Sequence, residues 1–386
     1  MLAGFTARPS LFRARAGSLR PIVRLSGIRW GSPVGRSCLW NTLFRPLRRA
    51  ATILRKQGRA AQHVSRAGGE RVHTCKVPTT ALDDWLTKYP SVKARYGHLL
   101  LEGAGGNKNL VKALRPYFES AHLDGREYFH RAAGIELHPD GKKRGAHAKY
   151  PNCLPKEAIH GLFGEVMAGL LTEYCRDQFV GGHDWTVPIF LFRYHRDVEE
   201  YMHVLSRDKA RARMVFGRTG TDFVAIALND KGEIARCLAG EAKWRKTLTP
   251  TEVEDLLLGE RVKDAAGNTR RRRGIWPQLN KDVDAPHGLR QLAELLKARD
   301  PAGWSAAIFS IERALWLDND VRLPRTNLVL LAGNGAKRRG KGDPLIDWQL
   351  TPAEYKARHD LQVVELILSD GESLISDIYD SLWRGA

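Results

Sequence analysis

Thr221-Asp222-Phe223-Val224-Ala225-Ile226-Ala227-Leu228, the polar tetrad Asn229-Asp230-Lys231-Gly232, and Glu233-Ile234-Ala235-Arg236-Cys237-Leu238-Ala239-Gly240-Glu241 read together as a β-hairpin that runs on into Ala242-Lys243. Two β-prone apolar runs flank a turn ending in glycine, the pattern of antiparallel strands joined by a short connection. A turn symmetric about Asp230 and Lys231 places Asp222 opposite Ala239. Strand side chains alternate with period two, so Ala239, Glu241 and Lys243 share a face. Glu241 is then the diagonal neighbour of Asp222, at about 7–8 Å between Cα atoms. Two carboxylates and one ammonium converge on one side of the hairpin.

Two carboxylates held close repel each other unless a cation lies between them, and hard oxygen donors suit Mg²⁺ or Mn²⁺. A lysine beside such a metal can orient or activate the attacking water. These are the parts needed for phosphodiester hydrolysis. The acid-x-Lys pattern occurs at Asp140-x-Lys142, Glu241-x-Lys243 and Glu354-x-Lys356. The first is in a polar loop, and the third is in Thr351-Pro352-Ala353-Glu354, whose spacing already explains the glutamate as part of a helix-capping box. Only Glu241 ends an apolar strand with an acid across a hairpin. The alternative is that both acids merely terminate strands at the surface.

Gly220-Thr221-Asp222 followed by Gly240-Glu241-Ala242-Lys243 resembles the signature of the PD-(D/E)xK nucleases, found in restriction enzymes and phage-defence proteins. The leading proline of that signature is replaced by Thr221. The resemblance implies a restriction-endonuclease-like α/β fold, with a mixed sheet flanked by helices. It implies metal binding by Asp222 and Glu241, water handling by Lys243, and a further acid from an upstream helix, a place matched by Glu165. More narrowly, Gly217-Arg218-Thr219-Gly220-Thr221-Asp222 with the downstream motif is similar to the HamA family, nuclease subunits of Hachiman antiphage systems. That similarity implies a helicase (ATPase) partner and DNA as substrate, with RNA not excluded.

Outward from the hairpin, Ile159, Leu162, Phe163, Val166, Met167, Leu170, Leu171 and Tyr174 recur at helical spacing, so 158–175 is expected to be a helix. Glu165 falls outside that apolar stripe. Val187–Tyr194 reads as a strand, and Asp197–Ser206 as a polar helix. After the hairpin, Thr249-Pro250-Thr251-Glu252 is a capping box with proline at the first helical position. Helices at 287–298 and 303–316, strands at Asn327–Ala332 and Leu361–Leu368, and a helix at Ser373–Trp383 follow. Segment 79–130 reads as mostly helical, interrupted at Gly103–Gly106. Interleaved strands and helices predict an α/β layer fold.

Several cationic positions are candidate phosphate contacts, with a solvated basic surface as the alternative: Arg218 and Lys246 near the hairpin, Arg271 and Arg272 in the run Arg270–Arg273, and Lys337 and Arg338 after the strand Asn327–Ala332. The last pair lies in Gly335-Ala-Lys-Arg-Arg-Gly-Lys-Gly342, which spells most of a phosphate-binding P-loop. It ends in Gly342 where the hydroxyl residue should be, and Asp343-Pro344 replaces the start of a helix. No G-x-S-x-G elbow occurs, and no cysteine stands in a recognisable pairing with histidine, which sets nucleophile hydrolases aside.

The formal charge of +19 is unevenly placed. Met1–Gly69 holds fourteen Arg and Lys residues and no acid, leaving +5 for the other 317 residues. This segment is expected to be disordered. It reads as a basic arm, as an organellar transit peptide, or as leader upstream of the true start. No stretch approaches the roughly 18 apolar residues of a membrane span. The five cysteines lack any C-x-x-C pair, which points to a reducing, cytoplasmic setting and away from a zinc ribbon. The expected organisation is 1–70 as arm or leader, 71–150 as a helical N-terminal portion, and 151–386 as the nuclease-like domain.

Overall fold

A computed structural model describes residues 72–73, 75–132, 150–194, 222–264, 267–281, 287–317 and 323–383, all within the unit Gly69–Ala386. The basic segment 1–70, the loop Pro139–Gly145, the helix expected at Asp197–Ser206, and Arg218 lie outside the described residues.

In chain order the elements are α1 (Thr79–Trp85), β1 (Leu86–Lys93), β2 (Tyr96–Gly103), α2 (Lys108–Ala132), α3 (Lys156–Tyr174), β3 (Trp185–Thr186), β4 (Phe223–Leu228), β5 (Ile234–Leu248), α4 (Pro250–Leu258), β6 (Gly259–Lys263), β7 (Thr269–Arg273), α5 (Ile275–Leu279), α6 (His287–Arg299), α7 (Ser305–Glu312), β8 (Arg325–Gly335), β9 (Asp360–Leu368) and α8 (Gly371–Ser381). Seven strands form one mixed sheet in the order β1-β2-β9-β8-β5-β4-β3, and β6-β7 form a separate ribbon. The four central strands β2, β9, β8 and β5 are parallel, while β1, β4 and β3 join antiparallel. Central parallel strands are covered on both faces, which is why Leu328–Ala332 and Val363–Leu368 are buried almost without interruption.

One face packs on α1, α2, α3 and α8 through Phe118, Phe163, Val166, Ile375 and Ile378, against Leu238, Ala242, Trp244, Leu330 and Leu366. The other face carries two separate clusters. Val329, Leu331 and Val363 pack with α4 and α5 through Leu256, Leu257 and Trp276. Val224, Ile226 and Cys237 pack with α6 and α7 through Leu292, Leu296 and Ile308.

Three secondary-structure expectations are corrected here, and a fourth, at Thr351, below. Residues 86–103, predicted helical, form β1 and β2. Leu99–Leu101 is a continuous apolar run buried in the sheet, and Pro90, Lys88 and Lys93 fit an edge strand that must not pair further. The N-terminal portion is therefore part of the sheet as well as of its helical cover. Val187–Tyr194, predicted as a strand, runs without ladder pairing beyond Thr186 and closes in a 3-10 turn at Phe192–Tyr194. Its alternation sends Phe190 and Phe192 to one face and Ile189 and Leu191 to the other, so it wraps the sheet edge. Arg270–Arg273, whose four consecutive arginines read in the sequence as a basic loop, is strand β7.

The capping box at Thr249 forms as expected, with Glu252 and Thr249 bonded reciprocally. The similar motif at Thr351 does not start a helix. Asn280 holds that stretch instead, donating to the Glu354 carbonyl and accepting from the backbone N–H groups of Lys356 and Ala357. Among the described residues no helix is long and apolar enough to cross a membrane.

Candidate active site on the β4–β5 hairpin

The hairpin forms, in a register two residues away from the symmetric expectation. Phe223 pairs with Gly240 and Val224 with Ala239, so Asp222 lies opposite Glu241, where the diagonal relationship was expected. The turn is asymmetric. Asn229 accepts the N–H groups of Lys231 and Glu233 on its side-chain oxygen, Gly232 takes φ +74°, and the register shifts at Ala227/Leu228. Such a bulge adds a residue to one strand and moves every later pair.

Asp222 is fixed at both ends. Its N–H donates to the Gly240 carbonyl at 2.7 Å, and its Oδ2 accepts the N–H of Ala242 at 2.8 Å. Gly240 is required here because the ring of Phe223 lies 1.9 Å from where a β-carbon would be. The Lys243 ammonium sits between the acids, 2.5 Å from Glu241 Oε1 and 3.2 Å from Asp222 Oδ2. Burial pulls the Lys243 ammonium toward its neutral form, but Asp222 and Glu241 reverse this and hold its pKa above the ordinary 10.5. A protonated Lys243 can donate to a water or a phosphate oxygen and cannot take a proton from either.

These three side chains lie on the face that carries two clusters. Glu241 neighbours Val329 and Lys243 neighbours Leu331, which belong to the α4–α5 cluster, while Val224 and Cys237 on the same strands belong to the α6–α7 cluster. The trio marks the line where the two clusters meet.

Glu165 is elsewhere. Its helix α3 packs on the opposite face, beside Ala242 and Trp244, and Glu165 is only 3% exposed, acting electrostatically on Tyr150 and Tyr379. Its burial departs from the helical-wheel reading because α3 is enclosed nearly all round, from Leu162 to Thr172.

The predicted cationic contacts divide. Lys337 and Arg338 are exposed on the loop after β8, and Arg272 is exposed on the ribbon. Lys246 is exposed and paired with Glu372 at 3.0 Å. Arg271 is turned inward, bonded to Glu254, to Asp255 at 3.2 Å and to the Gly259 carbonyl at 3.0 Å. The P-loop-like segment makes no phosphate cradle, since the Gly342 N–H and the Arg339 guanidinium both donate to Glu102.

Two acids were missed, one half-buried and one buried. Glu102 and Glu365, on β2 and β9, hold the 335–347 loop to the sheet. Glu365 accepts the N–H groups of Leu345 at 2.9 Å and Ile346 at 3.0 Å and pairs with the His98 ring at 2.8 Å. The signal was present, since a glutamate inside Val363-Val364-Glu365-Leu366 must be bonded to be tolerated there.

Compared with models of known protein families and with curated proteins, the chain gives no match.

Proposed function

We propose that the chain is a metal-dependent nuclease of the PD-(D/E)xK type, hydrolysing DNA phosphodiester bonds, and that it serves as the effector of a prokaryotic antiphage complex with a helicase partner. The observation that carries the reading is that Asp222 and Glu241 lie directly across the hairpin with Lys243 between them. The complex and its partner rest on the motif resemblance alone.

Among the described residues no group of three or more His, Cys, Asp or Glu side chains is gathered as a metal cluster. Two carboxylates nevertheless suit Mg²⁺, which commonly takes one or two protein carboxylates and completes its shell with water and substrate phosphate. Asp222 and Glu241 would hold it, and when bound the metal supplies Lewis-acid polarisation of the phosphate. Asp222 is held to the backbone of the opposite strand, which fixes one donor in advance. Lys243, whose ammonium is held charged by the two acids, would donate to the attacking water or to a non-bridging phosphate oxygen.

A second reading follows from the same ammonium. Lys243 already neutralises both acids, so the trio is also complete as a structural ion network in a nucleic-acid-binding or scaffold subunit. Plasmid and single-strand cleavage with Mg²⁺ or Mn²⁺, for wild type and for Glu241→Ala and Lys243→Ala, separates the two. Cleavage lost in both variants supports the nuclease. No cleavage by any form, with no metal bound in calorimetry, leaves the scaffold.

A further inference from the structure

The β6–β7 ribbon stands apart from the main sheet, and most of its residues are exposed. An isolated two-stranded ribbon is marginal in water unless something holds it. Here the root is pinched. A β-carbon at Gly259 would lie 2.4 Å from the Arg272 carbonyl oxygen, and one at Gly274 would lie 2.2 Å from the Leu258 carbonyl carbon. Gly259 also takes φ +100°, open to glycine at little cost. Arg271 and Arg261, which share a face of the ribbon, both reach Glu254 on α4, so one face is braced to that helix.

The brace accounts for two of the ribbon's six cations. Arg270 makes only an exposed contact to Asp264 at 3.4 Å, of a kind worth little in water. Lys263, Arg272 and Arg273 are exposed, and none of the ion pairs among the described residues includes them. Lys263 lies near the tip and Arg272 and Arg273 at the root, so unspent charge runs the length of the ribbon. Helix α4, which bears the brace, packs on Val329 and Leu331, the strand neighbours of Glu241 and Lys243. The ribbon is thus mounted on the same side of the sheet as the candidate active site.

From the brace, the free cations and the shared face, we infer that the β6–β7 ribbon is an arm that grips duplex nucleic acid through its phosphates, with Lys263, Arg272 and Arg273 as the contacts and Arg271 as a positioning residue. A two-stranded ribbon is one of the shapes that a major groove about 12 Å wide admits. Contacts made to phosphates carry no base information, so the grip is independent of sequence. The inference deepens the nuclease reading by assigning it a double-stranded substrate.

The test is binding of the full chain to a short fluorescent DNA duplex, and to a single strand of equal length, across a salt series in EDTA. One variant carries Lys263→Gln, Arg272→Gln and Arg273→Gln together, and a second carries Lys263→Arg, Arg272→Lys and Arg273→Lys. The neutral variant is expected to bind the duplex at least about tenfold more weakly and to lose about 2 to 3 from the slope of log affinity against log salt, near one per contact removed. The charge-keeping variant retains the slope, and both melt as wild type does. An unchanged duplex slope in the neutral variant overturns the arm, and an equal loss on the single strand overturns the duplex assignment. Because EDTA removes cleavage from the readout, a chain that grips through the ribbon and never cuts would sink the nuclease reading alone.

Discussion

Lys243 reaches across the hairpin to Asp222, with its ammonium 3.2 Å from Oδ2, and the same ammonium touches Glu241 on its own strand. Any cation that these acids hold must therefore compete with a charge the protein already supplies.

Replacing Lys243 with methionine removes that charge and leaves two facing carboxylates, one of them nearly buried. We expect a loss of about 1–3 kcal/mol, because the acids then repel and Glu241 is left without its ammonium. If the pair binds metal, millimolar Mg²⁺ raises the melting temperature of this variant more than that of wild type. Melting curves with and without Mg²⁺ decide it, and equal shifts would count against the pair as a metal site.

Glu165→Gln tests the division between the two faces. Since Glu165 is buried on the α3 side, away from the Lys243 face, the change is expected to lower the melting temperature while leaving any cleavage rate within about threefold, far less than the 10²-fold or more carried by a residue in proton transfer. A loss as large as that of Glu241→Ala would place Glu165 in the chemistry.

Acid stability should be governed in part by two imidazoles, His122 fully buried and His73 largely so. Burial drives the His73 ring from 6.5 down to about 4 and the His122 ring down to about 3, with His122 enclosed between the hydroxyls of Tyr150 and Tyr379. The unfolded chain takes up these protons near 6.5 and the folded chain does not. Stability present above pH 6.5 is therefore lost as the pH falls toward 4, by a few kcal/mol. Melts across that range should show the fall, and His122→Gln should flatten it.

Glu365→Gln weakens the acceptor that receives Leu345, Ile346 and His98. The expected result is faster hydrogen exchange at the Leu345 and Ile346 amides, with slow exchange kept in β8. Unchanged exchange at those two amides would mean that the loop is held by other contacts.

The strand–turn–strand around Asn229, the helix α3, the Thr249 cap and the strands β8 and β9 were legible because each has a local signature. The register was not. Asp222 and Glu241 face each other only because the Asn229 side chain builds an asymmetric turn, and a symmetric turn gives the wrong partner. Strands β1 and β2 were hidden because Trp85, Leu86, Tyr89 and Val92 suit a helical period, whereas β2 is fixed by pairing with β9, more than 250 residues away, and β1 pairs in turn with β2. For Arg271 and Arg272, adjacency in sequence concealed opposite fates, since a ribbon turns neighbours to opposite faces. Glu165 was read as an acid on an upstream helix, but composition cannot say which side of a sheet that helix covers.

The sheet order has a consequence in time. Strand β9 is the last to be synthesised, and it alone joins β2 to β8. Until Leu368 has emerged, β1–β2 and the β8-β5-β4 group are two half-sheets with open edges toward each other, and closure across so long a chain separation is slow. A nascent or truncated chain that stops short of Asp360 carries Asp222, Glu241 and Lys243 but lacks the keystone that frames them. Assembly order thus leaves the trio unframed until the last strand of the sheet has been made.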